Sequence, residues 1–360
     1  MLKSLQLENF TGFPKADLSF GKNLNVIIGE NGTGKSHLLK AAYVALAVSA
    51  EAAKDAPPEG PSKARLQTAL ADKLIGVFKP DALRRLVRRK VGRDKCRLRF
   101  TFSDARWDLD FGFSTLAESQ VSLHTAPTAC VDQRPVYLPT RELMSLVPKF
   151  VPLYETYSLP FEQTWRDTCL LLGLEAKPGQ RRAEVKALLP PLEAAMGGVV
   201  QSDPTGRFHL KLPSGKMEMF LVAEGLRKLA TVAQLVANGV LKNQGYLFWD
   251  EPEANLNPKM VKTIAQTILQ LAANGIQVFI ATHSLFLLRE LHIGQQGEFK
   301  SLDTHCFGLH LSEDEEFRVE QGPTMDDVGD ITSLDEELQQ SQRYMDTEYK
   351  AQGSGNQTKH

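Results

Sequence analysis

Residues 29–37 read GENGTGKSH, with the apolar run LNVII before them and a long Ala- and Leu-rich segment after them. Gly29, Gly34, Lys35 and Ser36 satisfy G-x-x-x-x-G-K-S, a spacing that average residue usage would give by chance in roughly one chain of this length in a hundred. The context strengthens the match. A strand enters the loop and a helix leaves it, so the backbone N–H groups from Gly29 to His37, those of Asn31 and Thr33 included, can surround a triphosphate at the positive end of the helix. Lys35 would neutralise the β and γ phosphates, and the Ser36 hydroxyl would ligate Mg2+, a small cation that takes oxygen ligands. Gly32 relieves crowding at the crest. The plainer alternative, a Gly-rich turn with a solvated lysine, explains neither flank.

A second constellation, YLFWDEPEANLNP, spans residues 246–258. A buried strand delivers Asp250 and Glu251 at its carboxyl end, where open α/β sheets bind ligands. Asp250 suits a magnesium contact, and Glu251, pointing differently in an extended chain, can polarise an attacking water. Asn257 as N-cap and Pro258 at the first helical position start a helix with Val261, Ile264, Ile268 and Leu271 on one face. QVFIA follows as a strand, so the segment is a right-handed βαβ unit. Directly after it come Thr282, His283 and Ser284. A lone histidine is more often structural, but this one ends the strand beside the acidic strand and can reach a γ phosphate.

Elsewhere the pattern predicts strands around Leu2–Leu7 and before Gly29, and a helix from Lys35 to about Asp55. It also predicts a basic helical piece over residues 81–90, and strands in CRLRFTF, WDLDFGF and SQVSLH that read as an insertion. Residues 141–197 read as short helices interrupted by Pro148, Pro152, Pro160 and the Pro190–Pro191 pair. FHLKL and KMEMFLV suit a hairpin, and Glu224 to Asn238 a helix closed by Gly239. Trp165 and Trp249 read as core, and His305, Cys306 and His310 lack a complete zinc ligand set.

The resemblance carried by LENFTGF, GENGTGKS, AEGLRKL, DEPEANLNP and ATHS is to the RecF/SMC-like branch of ABC ATPases. It is specifically to the compact AAA-type ATPase subunits of prokaryotic genome maintenance and phage defence, of OLD, Septu and retron-associated types. It covers residues 1–50 and 135–310; YLPTREL followed by SLVPKFVPLYE resembles a subset of these proteins. The resemblance implies an α/β P-loop NTPase of ABC ATPase-head type, a mixed sheet core with a helical signature lobe. The parts would be 1–50 and 241–311 for the ATPase core, 51–135 for the insertion, 136–240 for the lobe and 312–360 for an acidic tail. It further implies that residues 222–226, with Ala223, Glu224 and Gly225, form the signature element that closes over ATP held by a second subunit. Gly225 would open a helix whose dipole faces the γ phosphate. Ala223 stands where the family commonly has serine, so one hydroxyl contact is missing. Asn255 and Leu256 fall at the family's D-loop, and Arg141 and Glu142 at the region coupling the lobe to ATP.

Composition sets the limits. With 42% hydrophobic and 24% charged residues the chain reads as a soluble globular protein, and the scattered Cys96, Cys130, Cys169 and Cys306 suit a reducing cytoplasm. No run approaches the ~20 apolar residues of a membrane span, and nothing resembles a signal peptide. The net charge of −1 hides nine basic residues between Arg84 and Arg99, and thirteen acids between Glu313 and Glu348. Arg84, Arg85, Arg88, Arg89 and Arg93 could meet nucleic-acid phosphates, dock the acidic tail, or simply be solvated. Sustained heptads are missing, as is a nuclease or protease centre. The expectation is an ATP- and Mg2+-dependent homodimeric switch, with Lys35, Glu251 and His283 catalytic, controlling a separate effector in phage defence or nucleic-acid surveillance. The alternatives are a non-catalytic nucleotide-gated clamp on a toxin or nuclease, a RecF-like repair ATPase, and a transporter subunit.

Overall fold

Strand-forming runs and amphipathic helices alternate along the chain in a way that builds two layers of sheet around one helix. The computed structural model describes residues 1–54, 61–88, 94–157, 159–175, 183–242, 244–312, 316–330 and 332–355. The first elements are β1 (Leu2–Phe10), β2 (Phe13–Ser19), β3 (Leu24–Gly29), α1 (Lys35–Ala52) and α2 (Lys63–Phe78). β4 (Lys95–Phe102), β5 (Leu109–Ser114), β6 (Ser122–Thr125) and β7 (Val136–Leu138) follow. Three helices come next, α3 (Val147–Thr156), α4 (Gln163–Leu172) and α5 (Ala183–Met196), then β8 (Val199–Ser202), β9 (Phe208–Leu212) and β10 (Gly215–Glu218). The last part is α6 (Glu224–Ala237), β11 (Tyr246–Asp250), α7 (Pro258–Ala273), β12 (Gln277–Thr282), α8 (Leu285–Gln296), β13 (Thr304–Leu311), β14 (Phe317–Gly322) and α9 (Thr332–Gly355).

One sheet runs β2-β1-β4-β5-β6, all antiparallel; a second runs β14-β13-β3-β12-β11-β7 and is parallel except for β14. The Ala-rich α1 joins one core with residues of both sheets, burying Leu38, Leu39, Tyr43 and Leu46 and most of its alanines. A helix enclosed on all sides has no need of a polar face, hence the near-continuous apolar run after Ser36. On the other face of the second sheet, α6, α7 and α8 pack with the helices of the lobe.

Several expectations are corrected in detail. The segment 51–135 is built into the first sheet, since β4 pairs with β1 and carries β5 and β6. It also contains α2, unforeseen although Leu66, Leu70, Leu74 and Val77 mark its buried face. The described part of the basic piece 81–90 holds only a 3-10 turn, Leu83–Leu86, because Val87 bridges Phe10 and the Arg88 N–H donates to Asn9 O at 2.8 Å; residues 89 and 90 lie outside the described residues. Pro152 lies inside α3, and Pro190 and Pro191 inside α5. Burial of Phe150, Leu188, Leu192 and Met196 offsets a proline penalty of about 3 kcal/mol. β14 extends the second sheet past residue 311 into what the sequence suggested was tail.

Candidate nucleotide-binding site

The register of the second sheet brings three motifs to one edge. Ile28 pairs with Thr282, and Ala281 with Asp250, so the loop after β3 opens beside the ends of β12 and β11. A Cβ on Gly29 would stand 2.7 Å from Leu309 O and from Thr33 Oγ1, which explains glycine there. Gly34 sits at φ 91° as the N-cap of α1 and turns the chain into the helix. Asn31 and Gly32 are exposed at the crest, whereas Thr33 is buried and its hydroxyl donates to Glu30 O at 2.9 Å. Lys35 is buried, its Nζ donating to Gly29 O and Glu30 O, both at 2.8 Å. Burial pulls the Lys35 pKa down against the pull of Glu251, Asp250 and Glu253. His37 packs beside Phe78 with its Nδ1 buried and without a partner; burial and Lys40 lower its pKa to about 4.

Asp250 closes the buried strand β11. Its Oδ2 accepts a bond from Tyr137 Oη at 3.2 Å, and its Oδ1 is buried with no partner. Burial raises its pKa, while Ser36, Lys40 and Tyr137 favour the charged form. Glu251 is not in an extended chain, contrary to the sequence expectation. It sits at φ 46°, held there by a bond from its N–H to Ala281 O at 2.9 Å. That turn brings Glu251 Oε1 to 3.3 Å from His283 Nδ1, so the two candidate catalytic groups meet.

Two residues escaped the sequence reading. Tyr137, fully buried in β7, supports Asp250 from behind; only an assignment of β7 beside β11 could have revealed it. Glu253 is buried and accepts the Thr282 hydroxyl at 2.5 Å, with its Oε2 unpartnered and its pKa raised by burial. It stands in plain sight in DEPEANLNP.

Ala223, Glu224, Gly225 and Asn255 form a second group. Ala223 precedes α6 and gives it no side-chain cap. Asn255, at φ 62°, donates to Glu224 Oε1 at 3.2 Å; Lys228 Nζ donates to Ala254 O at 2.7 Å. A Cβ on Gly225 would lie 2.7 Å from Leu256 Cδ2. Arg227 pairs with Glu142 at 2.9 Å, tying α6 to the segment after β7. The loop 251–257 thus joins the two groups.

The basic cluster is partly neutralised. Arg88 pairs with Glu316 at 2.8 Å, Arg84 with Glu118 at 3.4 Å, and Arg97 and Arg99 with Asp110 at 2.7 and 2.9 Å. Arg89 and Arg93 lie outside the described residues.

The donor set suits Mg2+: a buried carboxylate oxygen lacking any protein partner stands near a serine hydroxyl, and hard oxygen ligands are what this cation takes.

Comparison with known proteins agrees with the fold. Residues 4–125 match a family model described as "AAA domain", and residues 169–289 one described as "AAA domain, putative AbiEii toxin, Type IV TA system". DNA replication and repair protein RecF of Agathobacter rectalis is 46% identical over 44 residues, and RecF of Bacillus thuringiensis 46% over 43. Each match spans 12% of this chain and 12% of RecF. An SMC head bound to the C-winged helix domain of ScpA superposes with a TM-score of 0.55 at 13% identity, over 90% of this chain and 98% of the other. The SMC head of Pyrococcus furiosus, bound to the C-terminal domain of ScpA, gives 0.53 at 11%, over 96% and 99%. These two likenesses concern the fold. Among the described residues no helix is long and apolar enough to cross a membrane.

Proposed function

We propose that this chain, a RecF/SMC-like, ABC-type AAA ATPase by its fold and domain matches, hydrolyses ATP in a head-to-tail dimer and thereby controls a separate effector. One observation carries the catalytic part: Lys35, the unpartnered Asp250 Oδ1 and the Glu251–His283 pair converge at one sheet edge. On binding, Lys35 leaves the carbonyls of Gly29 and Glu30 for the β and γ phosphates, and the N–H groups of residues 31–36 enclose them. Ser36 and Asp250 would hold Mg2+, which would spread the charge that develops on the phosphates. Glu251 orients the attacking water and His283 fixes that carboxylate while reaching the γ phosphate.

The second half of the site comes from the partner's α6. With no side-chain cap at Ala223, the first N–H groups of that helix remain open to an anion. ATP then favours closure and hydrolysis removes the bias. A defence role is supported by the toxin–antitoxin system in the description of the family model over residues 169–289, since such a system has two components. The RecF matches support DNA repair as the second reading. Ala223 favours a third, a clamp that needs ATP binding alone.

Glu251→Gln separates the hydrolysing switch from the clamp. Turnover should fall by about 10²–10⁴-fold while sedimentation shows ATP-bound dimers accumulating. Unchanged turnover rejects the catalytic assignment. If partner control survives Glu251→Gln yet is lost in Lys35→Ala, the clamp reading stands.

A further inference from the structure

Two unexplained surfaces remain. The first is a cavity of about 470 Å³ in the helical lobe, between α3, the β9–β10 hairpin and the 3-10 turn Met219–Leu221 that leads into α6. Leu146, Phe150, Leu153, Met219 and Phe220 give it an apolar lining, and Phe220 and the adjacent Leu221 are 70% and 74% exposed. Lys149, Arg207 and His209 stand at its rim against a single acid, Glu218. The second is α9, whose residues 335–349 are exposed throughout.

The chemistry of α9 matches the cavity. Leu338, Met345 and Tyr349, spaced by seven and four, lie on one stripe of a helix that turns ~100° per residue. Asp335 and Asp346 flank that stripe on one side, Glu337 and Glu348 on the other, because each is offset from it by roughly 60–100°. An apolar stripe edged by acids faces an apolar groove edged by cations. The Arg84–Arg99 cluster is less suited to it, since Glu316, Glu118 and Asp110 already occupy Arg88, Arg84, Arg97 and Arg99.

We propose that α9 docks its Leu338–Met345–Tyr349 stripe into the lobe groove of a second copy of this chain. The choice of a second copy rests on the head-to-tail reading above. α9 rises after Val328, which packs on Gly308 of β13, the neighbour of β3 and its phosphate loop. In the single chain α9 does not occupy the groove of its own copy, since residues 335–349 are exposed throughout and none of them lines the cavity. In a head-to-tail pair the partner's α6 meets the phosphate loop, and the partner's groove, contiguous with the entry to α6, stands beside the root of α9. Docking would then hold the Met219–Leu221 turn and report the nucleotide state of one copy to the tail of the other.

The test uses full-length Glu251→Gln protein with ATP, in an equimolar mixture of 15N-labelled and unlabelled chains. Tyr349→p-benzoylphenylalanine is carried by the unlabelled chains. Ultraviolet crosslinks should join residue 349 of an unlabelled chain to labelled peptides holding Phe150, Leu153 or Phe220. Lys149→Glu with Arg207→Glu should lower that yield about fivefold, as two rim ion pairs of modest strength would, and Glu337→Lys with Glu348→Lys should restore it. Crosslinks confined to the same chain, none to the groove, or a yield indifferent to the charge reversals would overturn the proposal. Sedimentation of the same samples reads the other premise separately. ATP-dependent dimers without groove crosslinks sink the docking alone, whereas a failure to dimerise removes both.

Discussion

Replacing Tyr137 by Phe isolates one hydrogen bond at the centre of the site. The ring is 1% exposed and packs edge-on against Tyr43, with centroids 5.4 Å apart, and the substitution keeps that packing. What disappears is the donor to Asp250 Oδ2, at 3.2 Å. Asp250 Oδ2 then loses that donor while Oδ1 already lacks one, in surroundings where burial disfavours its charge. A bond to a charged acceptor is worth about 1.5–3 kcal/mol, and at this length the lower end applies, about tenfold in an equilibrium constant. The loss falls on the ionised carboxylate, the form that Mg2+ needs. Titrating Mg2+ against binding of a fluorescent ATP analogue should therefore show half-saturation moved up increasingly as pH is lowered and the proton competes for Asp250, by up to about tenfold, with turnover at saturating Mg2+ nearly retained. If the Mg2+ dependence is unchanged while the melting temperature falls, the Tyr137 hydroxyl serves stability alone and the positioning argument is wrong.

Lys35→Ala should abolish detectable ATP binding by equilibrium dialysis while leaving the fold intact, because it removes the cation that turns from two loop carbonyls to the phosphates; wild-type affinity would displace it from that role. Gly225→Val should press on Leu256 and block the approach of a second copy, so that turnover per chain no longer rises with protein concentration, while ATP binding by the monomer persists. Arg227→Met breaks the pair with the buried Glu142, and should lower stability by about 2–4 kcal/mol in urea melts and uncouple dimerisation from ATP. Asp110 is held below the usual carboxylate range, for although burial raises its pKa the bonds from Arg97 and Arg99 outweigh it. A depressed folded pKa gives stability that is present above the unfolded value of about 4 and is lost as pH falls through the folded one. Asp110→Asn should accordingly lower the urea midpoint at pH 7, with the gap from wild type narrowing below pH 4; a gap independent of pH would exclude the ion pairs as its source.

Much of this site is local in sequence, and so was legible there. The phosphate loop, Asp250 at the end of YLFWD and His283 after QVFIA each sit where a strand gives way to another element, and strands of buried residues are easily seen. What escaped depends on contacts between distant segments. Tyr137 matters because β7 pairs with β11, over a hundred residues later. Residues 81–90 have helical composition, but the helix does not run on past Leu86, because Phe10 captures Val87 in a bridge. The antiparallel sheet likewise needs β1 to find β4 across α1 and α2, so a segment that looks inserted in one dimension is integral in three. Prolines misled in the lobe because burial of their neighbours outweighs the missing N–H.

The loop between the two halves of the site gives up backbone comfort for chemistry. Glu251 and Asn255 both adopt left-handed φ, at 46° and 62°, a conformation that costs a non-glycine residue of order 1–3 kcal/mol. Glycine at 251 would remove that cost and with it the carboxylate beside His283, so the strain belongs to the function. Bonds that hold the loop in place include the Glu251 N–H on Ala281, the Thr282 hydroxyl on Glu253, Lys228 on Ala254, and Asn255 on Glu224. Two of them come from α6, the helix that would meet the partner's nucleotide. A displacement of α6 on the proposed closure would therefore act on the residues that hold Glu251 in the turn the single chain already adopts, and so on the carboxylate beside His283. The proposed dependence of hydrolysis on closure would then run through α6, with no separate sensor required.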